Sequence, residues 1–455
     1  MCCSSVLLSQ NEWIVVRKIL LEGNKKTKAR VILRELNFQE GDTLTMADLG
    51  DRLEWNRKMV MNTGLFVKAA VNIKNWETET NLADIQLQVQ ESWYLYPIPI
   101  FELADRNFNV WWVQQNRSLK RVNYGMYFVH SNLTGKRDRL KLIFQQGYTQ
   151  KYTLDYQLPY LNQGQTLGSG FQVNYAQNKE VHIGNPDNKQ AFFRADDVLL
   201  TRLQMKNNWV FRPHLYTTHE FYVSFIRNEV ADHIARDINP DFFLYGRQSQ
   251  RYFSTAYRFT HDRRDIKPYP MHGSMTTAEL KKDGLGVFKE VNALAATVEH
   301  DHYFSFSPKL SSELIVKMRT SLLREKQPFY NNPRLGFGGD FIRGYEYYVI
   351  DGLDYGFVKS ALRFSLWEKG LHFGKLMPVN AFKHMPVRVY MTAYQDLGFV
   401  NNPFLTGEGF LSNEVLWGGG VGLDFVFFFD KVFQIQYSFN RLQESGLFLH
   451  TRLSF

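Results

Sequence analysis

The sequence predicts a mainly β fold, a 16-stranded antiparallel transmembrane β-barrel preceded by one small α+β domain of order β-α-α-β-β. Three observations predict it. From about residue 95 the apolar pattern repeats every two residues to the end of the chain. Aromatic residues make up 15% of the 455, with 24 Tyr and 37 Phe, beside 22% charged residues. Ahead of this region lies a short stretch with helical spacing. A membrane-spanning barrel needs rings and apolar side chains toward lipid and polar ones toward a wet lumen. No run reaches the ~18 apolar residues of a membrane-spanning helix, which argues against a helical membrane protein.

The first ten residues, Met-Cys-Cys-Ser-Ser-Val-Leu-Leu-Ser-Gln, have an apolar then small-polar order like the back half of a secretory signal. Residues 1–10 are therefore read as a signal-peptide remnant. Cys2 and Cys3 are the only cysteines, so a chain without them has no disulfide framework and no thiol chemistry. The net charge of +9 is spread along the chain without a Lys/Arg block, which disfavours a nucleic-acid partner.

Residues 14–92 form the front domain. Ile14–Glu22 reads as a strand closed by Gly23-Asn24. Thr27 is the expected N-cap of a helix carrying Ala29, Ile32, Leu33 and Leu36. Gly41-Asp42 breaks it, and a second helix is expected from near Thr45, striped by Leu49, Leu53 and Val60 and ended by Gly64. Val67, Ala69, Val71 and Ile73 then alternate, as do Ile85, Leu87 and Val89. This order, with the Glu-Gly-Asn turn, the Gly-Asp break and the Thr-Gly-Leu-Phe step at 63–66, resembles a POTRA domain.

Residues 95–455 are read as the barrel. Candidate strands fall near 95–103, 120–131, 138–148, 151–160, 168–177, 190–206, 215–227, 249–260, 271–283, 289–301, 308–319, 356–368, 387–398, 416–427, 431–440 and 447–455. An even number suits a closed antiparallel barrel, which lipid demands because it offers no partner to a free N–H or C=O. Tight connections are expected at Gly147–Gln150 and Phe429-Asp430, and long loops at 178–189, 228–248 and 320–355. Pro97 and Pro99 lie two apart in the first strand, where each lacks an N–H on the same side; they mark either a linker or a weak seam with the last strand. Leu447, Leu449, Leu453 and Phe455 share one face of that last strand. Leu453 and the terminal Phe455 look like the C-terminal signal by which barrels are themselves assembled.

Inside the longest loop lies Gly338-Gly339-Asp340-Phe341-Ile342-Arg343-Gly344-Tyr345. Together with Tyr394-Gln395-Asp396-Leu397-Gly398 it resembles the sixth-loop signature of the BamA/TamA superfamily, also called the bacterial surface antigen family. The resemblance covers residues 14–455. It implies a loop folded into the lumen with Arg343 gripping Asp396 on the wall, a pairing that guanidinium and carboxylate make in a fixed bidentate geometry. Gly338, Gly339 and Gly344 would permit tight turns beside the wall, and Tyr345 would pack there as a wedge. Ala361 stands where many members of the family carry a Glu.

The resemblance further implies an outer-membrane location with the front domain in the periplasm. The expected partners are unfolded outer-membrane proteins, periplasmic chaperones or accessory lipoproteins, and outer-membrane lipid. The expected function is to receive unfolded barrel clients through the POTRA-like domain and template their insertion at the seam. The alternatives are a two-partner-type secretion pore of the same superfamily, usually with paired POTRA domains and a plug helix for which the residues before Trp13 leave no room, or a passive channel. No catalytic, metal or cofactor motif is present: there is no His-Glu-x-x-His, no Gly-x-Ser-x-Gly and no Walker loop. Gly418-Gly419-Gly420-Val421-Gly422 lies in a strand and is read as permitting curvature.

Overall fold

A computed structural model describes residues 13–162, 164–372, 384–404, 409–427 and 431–452. The expected signal remnant at 1–10, the turn at Phe429-Asp430, and Leu453 and Phe455 lie outside the described residues. Two compact units emerge. Residues up to Tyr94, with Ser131–Asp138, make the first, and Leu95–His130 with the chain from Arg139 make the second.

The first unit runs β1 (Trp13–Glu22), α1 (Ala29–Leu33), β2 (Thr43–Thr45), α2 (Leu49–Met61), β3 (Phe66–Glu77) and β4 (Leu82–Glu91). Its sheet has the order β2-β1-β4-β3, with β1 and β4 parallel. Ile14, Val31, Ile32, Leu44, Val60, Ile85 and Leu87 are fully buried and form the core that the alternating and helical positions supply. Gly23 sits at φ +91°, and a Cβ there would fall 1.9 Å from the Val89 carbonyl oxygen, so the β1 turn requires glycine.

Two expectations are corrected here. The second helix starts at Leu49, because the segment around Thr45 is instead a short strand paired with the edge of β1, Trp13 opposite Thr45. Thr27 is not an N-cap: its hydroxyl shares a hydrogen bond with the Tyr94 hydroxyl at 2.8 Å and accepts one from Asn132 at 3.0 Å.

The second unit is built on strands β5 (Leu95–Leu103), β6 (Val122–His130), β7 (Arg139–Gly147), β8 (Thr149–Leu158) and β9 (Leu167–Asn178). A side hairpin follows, β10 (Glu180–Gly184) with β11 (Ala191–Arg194). Then come β12 (Leu200–His214), β13 (Thr217–Val230), β14 (Ser249–Asp262), β15 (Gly273–Asp283), β16 (Ala293–Ser307) and β17 (Leu310–Ser321). The two-residue strands β18 (Arg334–Leu335) and β19 (Ile350–Asp351) pair within a loop. The wall closes with β20 (Asp354–His372), β21 (His384–Asn401), β22 (Val415–Val426), β23 (Val432–Asn440) and β24 (Ser445–Arg452).

Apart from the four short strands, these make one 16-stranded antiparallel sheet in sequence order from β5 to β24. The expected strand at 190–206 is the one misplaced. Ala191–Arg194 folds back onto β10, Asp196-Asp197 interrupts the alternation, and the wall strand begins at Leu200.

The faces of the sheet are inverted relative to a soluble core. Trp209, Phe221, Tyr257, Leu280, Val298, Val316, Val358, Leu397, Val421, Tyr437 and Leu447 form an exposed apolar belt. Their strand neighbours Asn208, Ser224, Ser254, Asp301, Glu313, Lys359, Asp396, Gln436 and Ser438 are buried on the other face. Apolar surface this continuous is the outer wall of a barrel that spans a bilayer. The rim where β5 begins carries the two-residue turns 215–216 and 308–309 beside the ten-residue connection 263–272; the long described connections 179–199, 231–248 and 322–353 gather at the far rim, where the tight turn at 148 also lies.

In the first unit, Arg17 donates through Nε and Nη2 to the two Asp84 oxygens at 2.8 and 2.9 Å, and Asn75 adds a third bond at 2.8 Å. These bonds, Arg17 foremost, hold the Asp84 carboxyl down to about 2, against an unfolded-chain value of about 3.9. The depressed value stabilises this unit above pH ~4 and the stabilisation is lost as pH falls toward 2. Hydrogen exchange of residues 14–92 during acid titration should show this loss, and Arg17→Ala should flatten the response between pH 4 and 2.

Candidate functional site

The connection from β17 to β20 is the longest described loop, and it lies inside the sheet. Its residues touch strands from both ends of the strand order. Arg106, just past β5, donates to the Gly336 and Tyr348 carbonyls at 2.8 and 2.9 Å. On β24, the His450 ring stacks on Phe341 with centroids 5.2 Å apart. A single loop can reach both only if the sheet is curled around it.

Arg343 enters the wall opposite β20 and β21. Its Nε lies 2.9 and 3.1 Å from the two Asp396 oxygens, Nη2 bonds the same carboxylate, and its own N–H donates to Oδ2 at 3.0 Å. The Asp396 side chain is completely buried. The guanidinium also donates to the Ser360 carbonyl at 3.2 Å and lies over the Tyr394 ring, 4.1 Å from its centroid. Ala361, the position where a second carboxylate is absent, is buried in the wall beside Tyr394. The carboxylate in its neighbourhood is Glu313, directly across the ladder on β17, and that one is bonded to Arg363 instead.

Neighbouring residues fix the loop on either side of Arg343. Asp340 accepts from Lys317 at 2.7 Å and from the Tyr355 hydroxyl at 2.6 Å, while Lys359 donates to the Gly339 carbonyl at 3.1 Å. Asn440 donates to the Gly344 carbonyl at 2.7 Å, and Gly344 N–H bonds Glu346 at 2.7 Å. Gly338 and Gly344 both take positive φ, 56° and 94°, whereas Gly339 does not and has open space beside it. Tyr345 is buried with Ile342, Tyr348, Tyr355, Phe357 and Leu416 in one apolar cluster.

Sequence reasoning saw the glycine run of β22 but not its cause. A Cβ on Gly418 would fall 1.9 Å from the Arg343 carbonyl oxygen, and one on Gly420 would fall 2.7 Å from the Tyr394 hydroxyl. The run clears a strip of wall so that the loop backbone can lie against it.

A second inward element was not anticipated. The 263–272 connection turns into the barrel, and Tyr269, 1% exposed, donates to Asp424 at 2.8 Å. Gln434 donates to the same carboxylate at 2.9 Å. Arg363 bonds Glu313, donates to the Pro270 carbonyl at 2.9 Å and stacks on the Tyr269 ring at 4.5 Å. Tyr269 also packs on Tyr390, six residues before Asp396 on β21, so the two inward elements sit at different depths.

At the ends of the sheet, no ladder joins β5 to β24 among the described residues. Pro97 and Pro99 pair opposite Phe128 and Met126 of β6, with their rings on the exposed face. Since the β6 side of the ladder is complete, the missing N–H groups fall on the edge that faces β24.

Residues 14–92 match the family model described as "POTRA: Surface antigen variable number repeat". The model of the whole chain superposes on BamA from Haemophilus ducreyi lacking POTRA domains 1–3, with a TM-score of 0.55 and 13% identity over 96% of this chain and 84% of that one. It also superposes on CdiB from Escherichia coli, with a TM-score of 0.57 and 11% identity over 96% and 75% of the two chains. No curated protein matches the chain by sequence. The chain thus shares the barrel fold of BamA and CdiB, and residues 14–92 ahead of it match the POTRA model.

Removing one partner of a buried, hydrogen-bonded ion pair typically costs about 3–5 kcal/mol. Arg343→Ala should therefore lower the thermal unfolding temperature of the barrel and expose the 322–353 loop to limited proteolysis. Arg343→Ala combined with Asp396→Ala should cost clearly less than the sum of the two single changes.

Proposed function

We propose that this chain sits in the bacterial outer membrane with residues 14–92 in the periplasm, and that it inserts other β-barrel proteins into that membrane at the seam between β5 and β24. The observation that carries this reading is the seam, where among the described residues no ladder joins β5 to β24 in an otherwise continuous wall. Backbone edges facing hydrocarbon are costly, and a client strand is the kind of partner that satisfies them. Strand addition is equally the way the POTRA sheet would receive an extended client, along its β3 edge. No bond-making chemistry is needed, since the client's own burial and hydrogen bonding supply the drive.

In this reading Arg343, with Gly338, Gly339, Gly344, Tyr345 and the wall partner Asp396, anchors the loop in the lumen. Pro97 and Pro99 keep the β5 edge from zipping to β24. Leu453 and Phe455 would be the chain's own assembly signal. Periplasmic chaperones or accessory lipoproteins would deliver clients. The competing readings, a secretion pore or a passive channel, both need an axial path through the lumen that the β17–β20 loop and the 263–272 connection share.

Depleting the protein and comparing the outer-membrane proteome tests the proposal. Loss of many barrel proteins is expected; loss of one exported protein would mean secretion, and altered solute uptake alone would mean a channel. Replacing Pro97 and Pro99 together by Val should raise cross-linking between β5 and β24 and slow client insertion; no change in either would remove the prolines from the mechanism.

A further inference from the structure

The segment just past β5 does at the seam what a neighbouring strand would do. The Asn109 side-chain amide donates through Nδ2 to the Leu447 carbonyl at 2.6 Å, and its Oδ1 accepts from the Leu449 N–H at 3.2 Å. These are adjacent groups on one edge of β24, the edge that has no ladder among the described residues. A primary amide carries the same donor and acceptor as a peptide group, so one side chain fills the rungs that a partner strand would take.

Asn109 is not placed there by chance of a wandering loop. It lies within a short stretch clamped to the lumen loop on both sides. Arg106 holds the Gly336 and Tyr348 carbonyls. Asn107 donates to the Glu346 carbonyl at 2.9 Å while its Oδ1 caps the Val110 N–H at 2.8 Å. Gln114 reaches the Tyr347 carbonyl at 3.2 Å, and Val110 is completely buried. The carbonyls of 346 to 348 follow directly on Arg343-Gly344-Tyr345. The same stretch therefore ties the anchored loop to the free edge of β24.

We infer that Asn109 is an intramolecular latch that occupies the β24 edge in place of an extended polypeptide strand, and that the 106–114 stretch couples its release to the position of the lumen loop. The inference rests on the reading of the seam as the insertion site, and it adds an internal competitor for that site. A strand joining β24 at Leu447 and Leu449 must first displace the amide. Displacement is cheap enough to be reversible, because two hydrogen bonds are exchanged for two others.

The test uses the full-length chain in lipid bilayers, with Cys2 and Cys3 replaced by Ser and spin labels on Phe101→Cys of β5 and Tyr437→Cys of β23, both on the exposed face. Distance distributions are compared for Asn109, Asn109→Ala and Asn109→Asp, each confirmed as folded by heat-modifiable gel mobility. Asn109→Asp keeps the shape but loses the Nδ2 donor and sets a carboxylate against the Leu447 carbonyl. Both variants should raise the long-distance population on the order of tenfold, and hydrogen exchange at the Leu449 amide should accelerate. Distributions that superimpose on the parent, with unchanged Leu449 exchange, would overturn the latch whatever the protein does. Should the seam open as expected while the outer-membrane proteome of the variant strain stays intact, the latch stands and the insertion reading falls.

Discussion

A backbone amide that faces hydrocarbon has one kind of acceptable neighbour, another backbone. That constraint dictates the second unit of this chain. Among the described residues, each of the sixteen wall strands is laddered on both sides except β5 and β24, the two ends of the order. Where the rule is relaxed, the structure does not leave the edge bare. Prolines withdraw N–H groups from one lip, and a side-chain amide covers two rungs of the other. Under the insertion reading, an edge held by such contacts could open where one sealed by a ladder could not, and that would separate this wall from an inert cylinder.

The inside of the barrel obeys the complementary rule. Turning apolar residues outward leaves polar and charged ones within, and each must find a partner once water is excluded. Arg363 meets that need within the wall by pairing with Glu313, while Asp396 and Asp424 take their partners, Arg343 and Tyr269, from connections that enter from the rims. Such pairs add little net stability over a well-packed apolar core, but leaving one member alone is expensive. Their effect is to specify where the loop lies. The glycines of β22 serve the same end by giving up side-chain volume on the lumen face, letting the loop backbone approach to contact distance.

Much of this was legible in the residues. A period of two is set by local geometry, so fifteen of the sixteen wall strands could be located and the sixteenth was overrun at its start, and the Arg-Gly-Tyr loop and Asp396 stood out because charge in such places needs a reason. What the sequence hid is non-local. Ala191–Arg194 has the aromatic composition of a strand, and only its partner Glu180–Gly184 shows that it lies outside the wall. Thr45 has the composition of a helix start yet pairs with β1, since a β-branched residue satisfies an exposed edge as readily as it opens a helix. Tyr269 and Asn109 act on residues 155 and 338 positions away, distances over which no pattern in one sequence carries information.

The inward turn at Tyr269 means that the lumen is shared. One segment packs on the wall near Tyr390 and another near Asp396, so two pieces of chain occupy the interior at different depths. Under the insertion reading proposed above, a client would leave sideways, into the plane of the bilayer, where the thickness and fluidity of the surrounding lipid would become part of the machine.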